Sequence, residues 1–314
     1  MPFARGSVSI RLYPHNDLPA GTIIDELVAQ AGLALSGGFD GVMTSEHHGG
    51  FAGYLAQPLQ MATFILESHS AGWVAACPLL LPLRSTVLVA EEVAWLRARH
   101  PGRVGVGVAV GALPLDFEAT GSDQADAVDR FKAGLPTLVA MLRGDRLGPL
   151  GDDPALRACA EHPVPVLSAA VSVAAGRRAA ASGAGLLLEG MSSADRLAEV
   201  TRAYDASGGT GAKVLIRRVW LGTLPSELVD RQRSIYDSYS GSTATFGDDR
   251  TVCTDDPAVM VDRLVDEAGR AGADALNLRI HLPGMTPAAV GRQIELLGSA
   301  VVGPLRSALG ARLG

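Results

Sequence analysis

The sequence predicts a single α/β domain over residues 1–314, folded as a (β/α)8 TIM barrel, and three observations predict it. Eight short runs rich in β-branched and aliphatic residues recur along the chain. Amphipathic stretches with an apolar period of about 3.6 residues separate them. The runs are nearly continuous in apolar residues, as parallel strands buried beneath helices are. Eight such repeats close a barrel, and 314 residues suit one barrel domain. A doubly wound open sheet is the alternative arrangement of the same repeats.

Taken in order, "SVSIRLY" at 7–13 is the first strand, and a helix follows over 22–36. "FDGVMTS" at 39–45 leads to a helix over 56–68, and "AGWVAACPLLL" at 71–81 to one over 86–99. "RVGVGVAV" at 103–110 precedes a long helical stretch at 123–143. "VPVLSAA" at 164–170 and "GLLLEG" at 185–190 are followed by helices over 172–182 and 193–206, each opening on a serine suited to capping. "AKVLIRRVWL" at 212–221 is the seventh strand. A long polar segment follows it, "GTLPSELVDRQRSIYDSYSGSTATFGDD", punctuated by Gly, Ser and Thr, and reads as an insertion or lid. A helix over 257–271, the eighth strand "ALNLRIHL" at 275–282 and a helix over 286–308 complete the repeats.

Composition limits the partners. Apolar residues make up 47% and charged residues 19% of the chain, enough for an extensive core. A formal charge of −6 with no Lys/Arg cluster argues against nucleic acid and favours a small, largely apolar ligand. No stretch suits a signal peptide or a membrane span, so the expectation is a cytoplasmic protein with no membrane partner. Cys77, Cys159 and Cys253 are odd in number and widely spaced, which suits reduced thiols rather than a disulfide framework.

The stretch "FDGVMTSEHHGG" sets Glu46, His47 and His48 where the second strand ends. In a barrel, reactive groups sit at the C-terminal ends of the strands. Neighbouring residues of an extended chain point to opposite sides, so one histidine at most faces a given ligand. Imidazole exchanges a proton near neutrality, and an adjacent carboxylate can orient it. A helix-start or core hydrogen-bonding cluster is the plainer reading of the same residues. No metal site is expected, because the spacing lacks paired ligands. His15, Glu189, Met191, Trp220 and His281 fall at or beyond other strand ends and are candidates for the pocket wall, although Met191 and Trp220 are residue types that usually fill cores. "VGVGVAVG" is not a dinucleotide fingerprint, since its glycines lie within a strand.

The chain resembles the bacterial luciferase-like superfamily of flavin- or deazaflavin-dependent oxidoreductases. The likeness is carried by "GFDGVMTSEHHGG", by "LLLPLRSTVLVAEEVAWLRARHPGRVGVGVAVGALPLDFEATG", by "EAGRAGADALNLRIHLPG" and by "VVGPLR" near the end. It covers almost the whole chain. The resemblance implies that His47 transfers protons beside the reduced flavin, that Glu46 orients or tunes the site, and that His48 supports the loop or the flavin edge. It implies that Ala76, Cys77 and Pro78 lie against the isoalloxazine ring, where the family often has a cis peptide. The matching bond is Cys77–Pro78, and proline lowers the cost of that geometry. A small buried strand residue is the alternative reading of Cys77.

"SAAVSVAAGRRAAASGAG" resembles the family's phosphate region, which implies Ser172, Ser168 and Arg177 as phosphate ligands at a helix N-terminus. Helix capping alone also accounts for Ser172. The chain departs from the luciferase pattern at Val110, where an arginine is expected, and at Ala175, in place of a threonine. Both departures argue against tight FMN retention. The resemblance implies a monooxygenase that takes reduced FMN from a separate reductase and oxidises a small organic substrate with oxygen, in a homodimer formed through helices of the early repeats. The alternatives are hydride transfer with F420 and a noncatalytic flavin-binding subunit.

Overall fold

The computed structural model describes residues 1–51, 53–145, 147–240 and 251–313. Its nine strands are β1 (Val8–Arg11), β2 (Gly41–Thr44), β3 (Trp73–Leu80), β4 (Val104–Ala109), β5 (Val166–Ala169), β6 (Gly185–Leu188), β7 (Lys213–Leu221), β8 (Val252–Thr254) and β9 (Ala275–Arg279). All pairings are parallel. They run from β1 through β6 in order, then from β6 to β7, β7 to β9 and β9 back to β1, so eight strands close a barrel. Each of the eight lies within a run the sequence marks as a strand. The short β8 pairs only with the end of β7 and was not anticipated.

The outer layer begins with α1 (Ala20–Ser36), α2 (Pro58–Ser68) and α3 (Thr86–Arg99), followed by the short α4 (Pro114–Thr120), α5 (Ala127–Met141) and α6 (Pro154–Ala158). It continues with α7 (Val173–Ser182), α8 (Ala194–Ala206), α9 (Ser226–Ser240), α10 (Pro257–Ala271), α11 (Pro287–Leu297) and α12 (Gly303–Leu313). Ser172 and Ser193 cap α7 and α8 with their hydroxyls, each satisfying a first-turn amide. Of the polar segment expected as an insertion after the seventh strand, residues 226–240 form α9, and 241–250 lie outside the described residues. The helix expected over 286–308 is divided by a π-turn at Gly298–Val302 into α11 and α12. No described helix is long and apolar enough to cross a membrane.

The barrel interior explains two glycines. Trp73 points inward from β3 and stacks edge-on against Phe3, which plugs the N-terminal end, with ring centroids 5.1 Å apart. So large an indole fits only because its neighbours on the wall lack side chains. A Cβ on Gly41 would lie 2.1 Å from the Trp73 ring, and one on Gly105 would lie 2.7 Å from the Phe3 ring. Phe3 and Trp73 thus fill the barrel interior near the N-terminal ends of the strands.

Candidate active site

At the C-terminal ends of the strands lies a cavity of about 380 Å³ whose wall receives residues from every barrel strand or the loop leaving it. A wider groove of about 500 Å³ runs outside the barrel between α2 and α3, beyond reach of the strand ends. The inner cavity lies at the strand ends, with Arg11, Glu46, His47, Glu189, Arg218 and Arg279 in its wall, and is the candidate site.

Glu46 and His47 follow β2, and both line the cavity. The His47 Nδ1 lies 2.8 Å from Oδ2 of Asp116, which also accepts from the His48 amide through Oδ1 at 2.6 Å. A carboxylate accepts at both oxygens, so in the neutral imidazole Nδ1 carries the proton and Nε2 is the nitrogen with the lone pair. Asp116 is fully buried in the first turn of α4, where the positive end of the helix dipole favours its charge. Tyr54 and Phe51 wall the imidazole, with centroids 4.4 and 5.0 Å from it. Ring orientation is therefore fixed from three sides.

Glu46 has a different position. Its Oε1 accepts from Arg84 and from His48 Nε2 at 3.0 Å, and its Oε2 accepts the Leu80 amide at 2.6 Å. With 1% exposure and both oxygens engaged, it clamps the ends of β2 and β3 together. The two histidines separate as an extended chain requires: His47 faces the cavity and His48 turns to Glu46.

On β3, the Cys77–Pro78 peptide is cis. Pro78 lines the cavity, while the Cys77 carbonyl accepts from Arg11 at 2.8 Å. The Cys77 thiol packs against Gly107, where a Cβ would meet Sγ at 2.1 Å. Burial pushes this thiol up to about 12, with Arg11 opposing the shift, so it is not a nucleophile near neutrality.

The remaining sequence candidates divide by position. Glu189 and Met191 line the cavity beyond β6; Glu189 accepts the amides of Met191 and Ser192 at 2.5 and 2.8 Å. Ala76 is buried in the main core, and Ser168 is buried with no partner for its hydroxyl among the described residues. Ser172 caps α7, and Arg177 is exposed one turn further on; neither lines the cavity, although Val171 just before them does. His15 is buried and held by Gln30 and the Met285 carbonyl. Trp220 donates to the Thr223 carbonyl. His281 stacks on Tyr13 behind the cavity wall, and burial, reinforced by His15, Arg279 and Arg218, pushes it down to about 3. Among the described residues, no group of three or more His, Cys, Asp or Glu is placed to hold a metal ion.

Sequence reading missed Asp116, Arg84 and the arginines Arg11, Arg218 and Arg279 in the cavity wall. A signal existed for the last three, since each interrupts an apolar strand at an inward-facing position.

The family model for luciferase-like monooxygenases matches residues 7–278. No curated protein matches the chain by sequence. Among solved structures, the monooxygenase RslO1 from Streptomyces bottropensis is 18% identical with a TM-score of 0.72, the match covering 95% of this chain and 99% of that one. The oxygenating constituent of 3,6-diketocamphane monooxygenase from Pseudomonas putida, in complex with FMN, is 16% identical with a TM-score of 0.73 over 96% and 99% of the two chains. An F420-dependent secondary alcohol dehydrogenase is 13% identical with the same TM-score and the same coverage. At these identities the likeness is one of fold.

Proposed function

This chain belongs to the luciferase-like monooxygenase family, and from that premise we propose that it uses reduced FMN and oxygen to oxidise a small organic substrate. The observation that carries the reading is His47, held by buried Asp116 with Nε2 left to act at the wall of the cavity at the strand ends. Reduced FMN, once bound, supplies two electrons, so that oxygen and substrate yield oxidised substrate, water and oxidised FMN.

The residues present fit a flat ring. Pro78, Ala109, Gly111, Ala169 and Gly190 leave width between the strand ends, and Val171 brings the start of α7 to the rim. Cys77 and Pro78 would back the ring. The start of α7, with Ser172 and Arg177, would face the phosphate, as a helix N-terminus favours an anion. His47 Nε2 takes up or returns a proton at the cavity wall, Asp116 holds the tautomer that permits this, and Glu46 fixes the loop on which His47 sits. Tyr13, Tyr54, Leu80 and Ile216 supply the apolar part of the wall beside these polar groups. A separate reductase supplies the reduced cofactor in this reading. In this proposal the protein pairs through the exposed Leu88 and Trp95 face of α3, and light scattering of wild type against Trp95→Lys tests it, a dimer mass that falls to a monomer's being the expected result.

The test is oxygen uptake and product formation with FMN and a reductase. His47→Asn should keep the fold and flavin affinity while lowering turnover about 10²–10⁴-fold. His48→Asn should lower it less. Unchanged turnover in folded His47→Asn protein would overturn the assignment.

A further inference from the structure

Three arginines stand side by side on the cavity wall. Arg11 of β1 is in register with Arg279 of β9, and Arg279 is in register with Arg218 of β7. Adjacent strands are about 4.8 Å apart, and all three side chains line the same cavity. From this geometry we propose that the substrate bears an oxyanion, a carboxylate or a sulfonate, and that Arg11, Arg279 and Arg218 receive it.

Two further observations point to a ligand. Arg11 is 3% exposed, and its guanidinium meets the Asn277 Oδ1 at 3.0 Å, the Cys77 carbonyl and the Met43 sulfur, all of them uncharged. A cation buried among neutral acceptors alone is costly, and an anion arriving in the cavity removes that cost. Ser45, buried just past the end of the neighbouring β2 at 4% exposure, lines the same cavity with no partner for its hydroxyl among the described residues. It can donate to the same anion. The acidic side chains of the wall do not serve as counter-ions to Arg11, since Glu46 is paired with Arg84 and Glu189 accepts backbone amides. Arg279 lies over the Tyr13 ring at 4.9 Å and Arg218 donates to the His281 carbonyl, contacts that hold both guanidinium groups at the wall.

Position separates this anion from the cofactor phosphate. The start of α7 follows β5, and β1 lies four strands from β5 around an eight-stranded barrel, directly across the mouth. A planar guanidinium also suits bidentate contact with a carboxylate or sulfonate. The inference rests on the proposed monooxygenase reading for the word substrate.

Calorimetric titration of the full chain with benzoate, benzenesulfonate and benzyl alcohol tests it, alongside titration with FMN and riboflavin. Benzoate or benzenesulfonate should bind at least about tenfold more tightly than the alcohol, the size expected of a charge-assisted hydrogen bond. Arg279→Met should remove that preference, Arg279→Lys should keep part of it, and Arg11→Met should act in the same direction if its circular dichroism is unchanged. Equal binding of acid and alcohol, no binding of either oxyanion, or a preference untouched in folded Arg279→Met overturns the proposal. If Arg279→Met instead abolishes discrimination between FMN and riboflavin and leaves benzoate unaffected, the row serves the cofactor phosphate, and the substrate assignment is overturned. Failure of the wild-type chain to bind any flavin sinks the monooxygenase reading, a result distinct from each of these.

Discussion

Replacing Asp116 by Asn exchanges one carboxylate oxygen for an NH2 group and removes the charge with almost no change in volume, which probes the His47 tautomer. The amide oxygen can still accept from the His48 amide, now at 2.6 Å, and the amide nitrogen is then left facing His47 Nδ1. That nitrogen only donates, so Nδ1 must become the acceptor and the imidazole proton moves to Nε2. His47 would lose its lone pair on the cavity side. A buried charge-assisted hydrogen bond is lost as well, which costs about 1–3 kcal/mol of stability. In Ser-His-Asp enzymes the equivalent replacement lowers kcat about 10⁴-fold through the wrong tautomer. A fall of about 10²–10⁴-fold is expected here, where His47 is a general acid/base rather than a partner of a nucleophile. Long-range nitrogen–proton NMR of histidine-labelled protein reads the tautomer directly, and oxygen-coupled turnover reads the consequence. Should the tautomer flip with turnover unchanged, His47 moves no proton in the rate-determining steps. Should wild-type protein already carry its proton on Nε2, the dyad argument is wrong at its first step.

Three other outcomes follow from particular contacts. Glu46→Ala leaves Arg84 without its carboxylate and the Leu80 amide without its acceptor, so urea unfolding should show a loss of about 3–5 kcal/mol; a loss under 1 kcal/mol would contradict the clamp. Gly41→Ala places a methyl carbon 2.1 Å from the Trp73 ring and should cost about 1–3 kcal/mol with a shifted tryptophan emission; an unchanged melting temperature would show that the indole does not fill the barrel floor. His281 is held neutral down to about 3, while in the unfolded chain it takes a proton below about 6.5. Its penalty is therefore absent above pH 6.5 and grows by up to about 1.4 kcal/mol per pH unit as the pH falls toward 3. His281→Phe should lose less stability than wild type between pH 7 and pH 5, by about 2 kcal/mol, and identical pH slopes would show that the imidazole is not buried as described.

The barrel was legible because each strand is a nearly continuous apolar run, and a run buried on both faces permits few other arrangements. Strand ends and alternation limit the histidine pair to one cavity-facing member, and the family resemblance points to His47, the one that lines the cavity. Asp116 was not, since it lies 69 residues from His47 and only the packing of α4 over the mouth joins them. The arginine row was hidden for a related reason. Each arginine is visible in its own strand, but their alignment depends on the registers of β1, β9 and β7, which no single run of sequence contains. Arg84 lies 38 residues from Glu46, and only the packing of the β3–α3 connection against the end of β2 brings its guanidinium to that carboxylate. Short elements such as α4 and β8 carry too few residues for periodicity to mark them.

Anaerobic titration of the chain with photoreduced FMN, and separately with reduced F420, tests the central claim most directly. Saturable binding of reduced FMN at one site per chain is predicted, followed by oxygen uptake when air is admitted. Binding of reduced F420 alone, without oxygen uptake, would contradict the monooxygenase reading and point to hydride transfer.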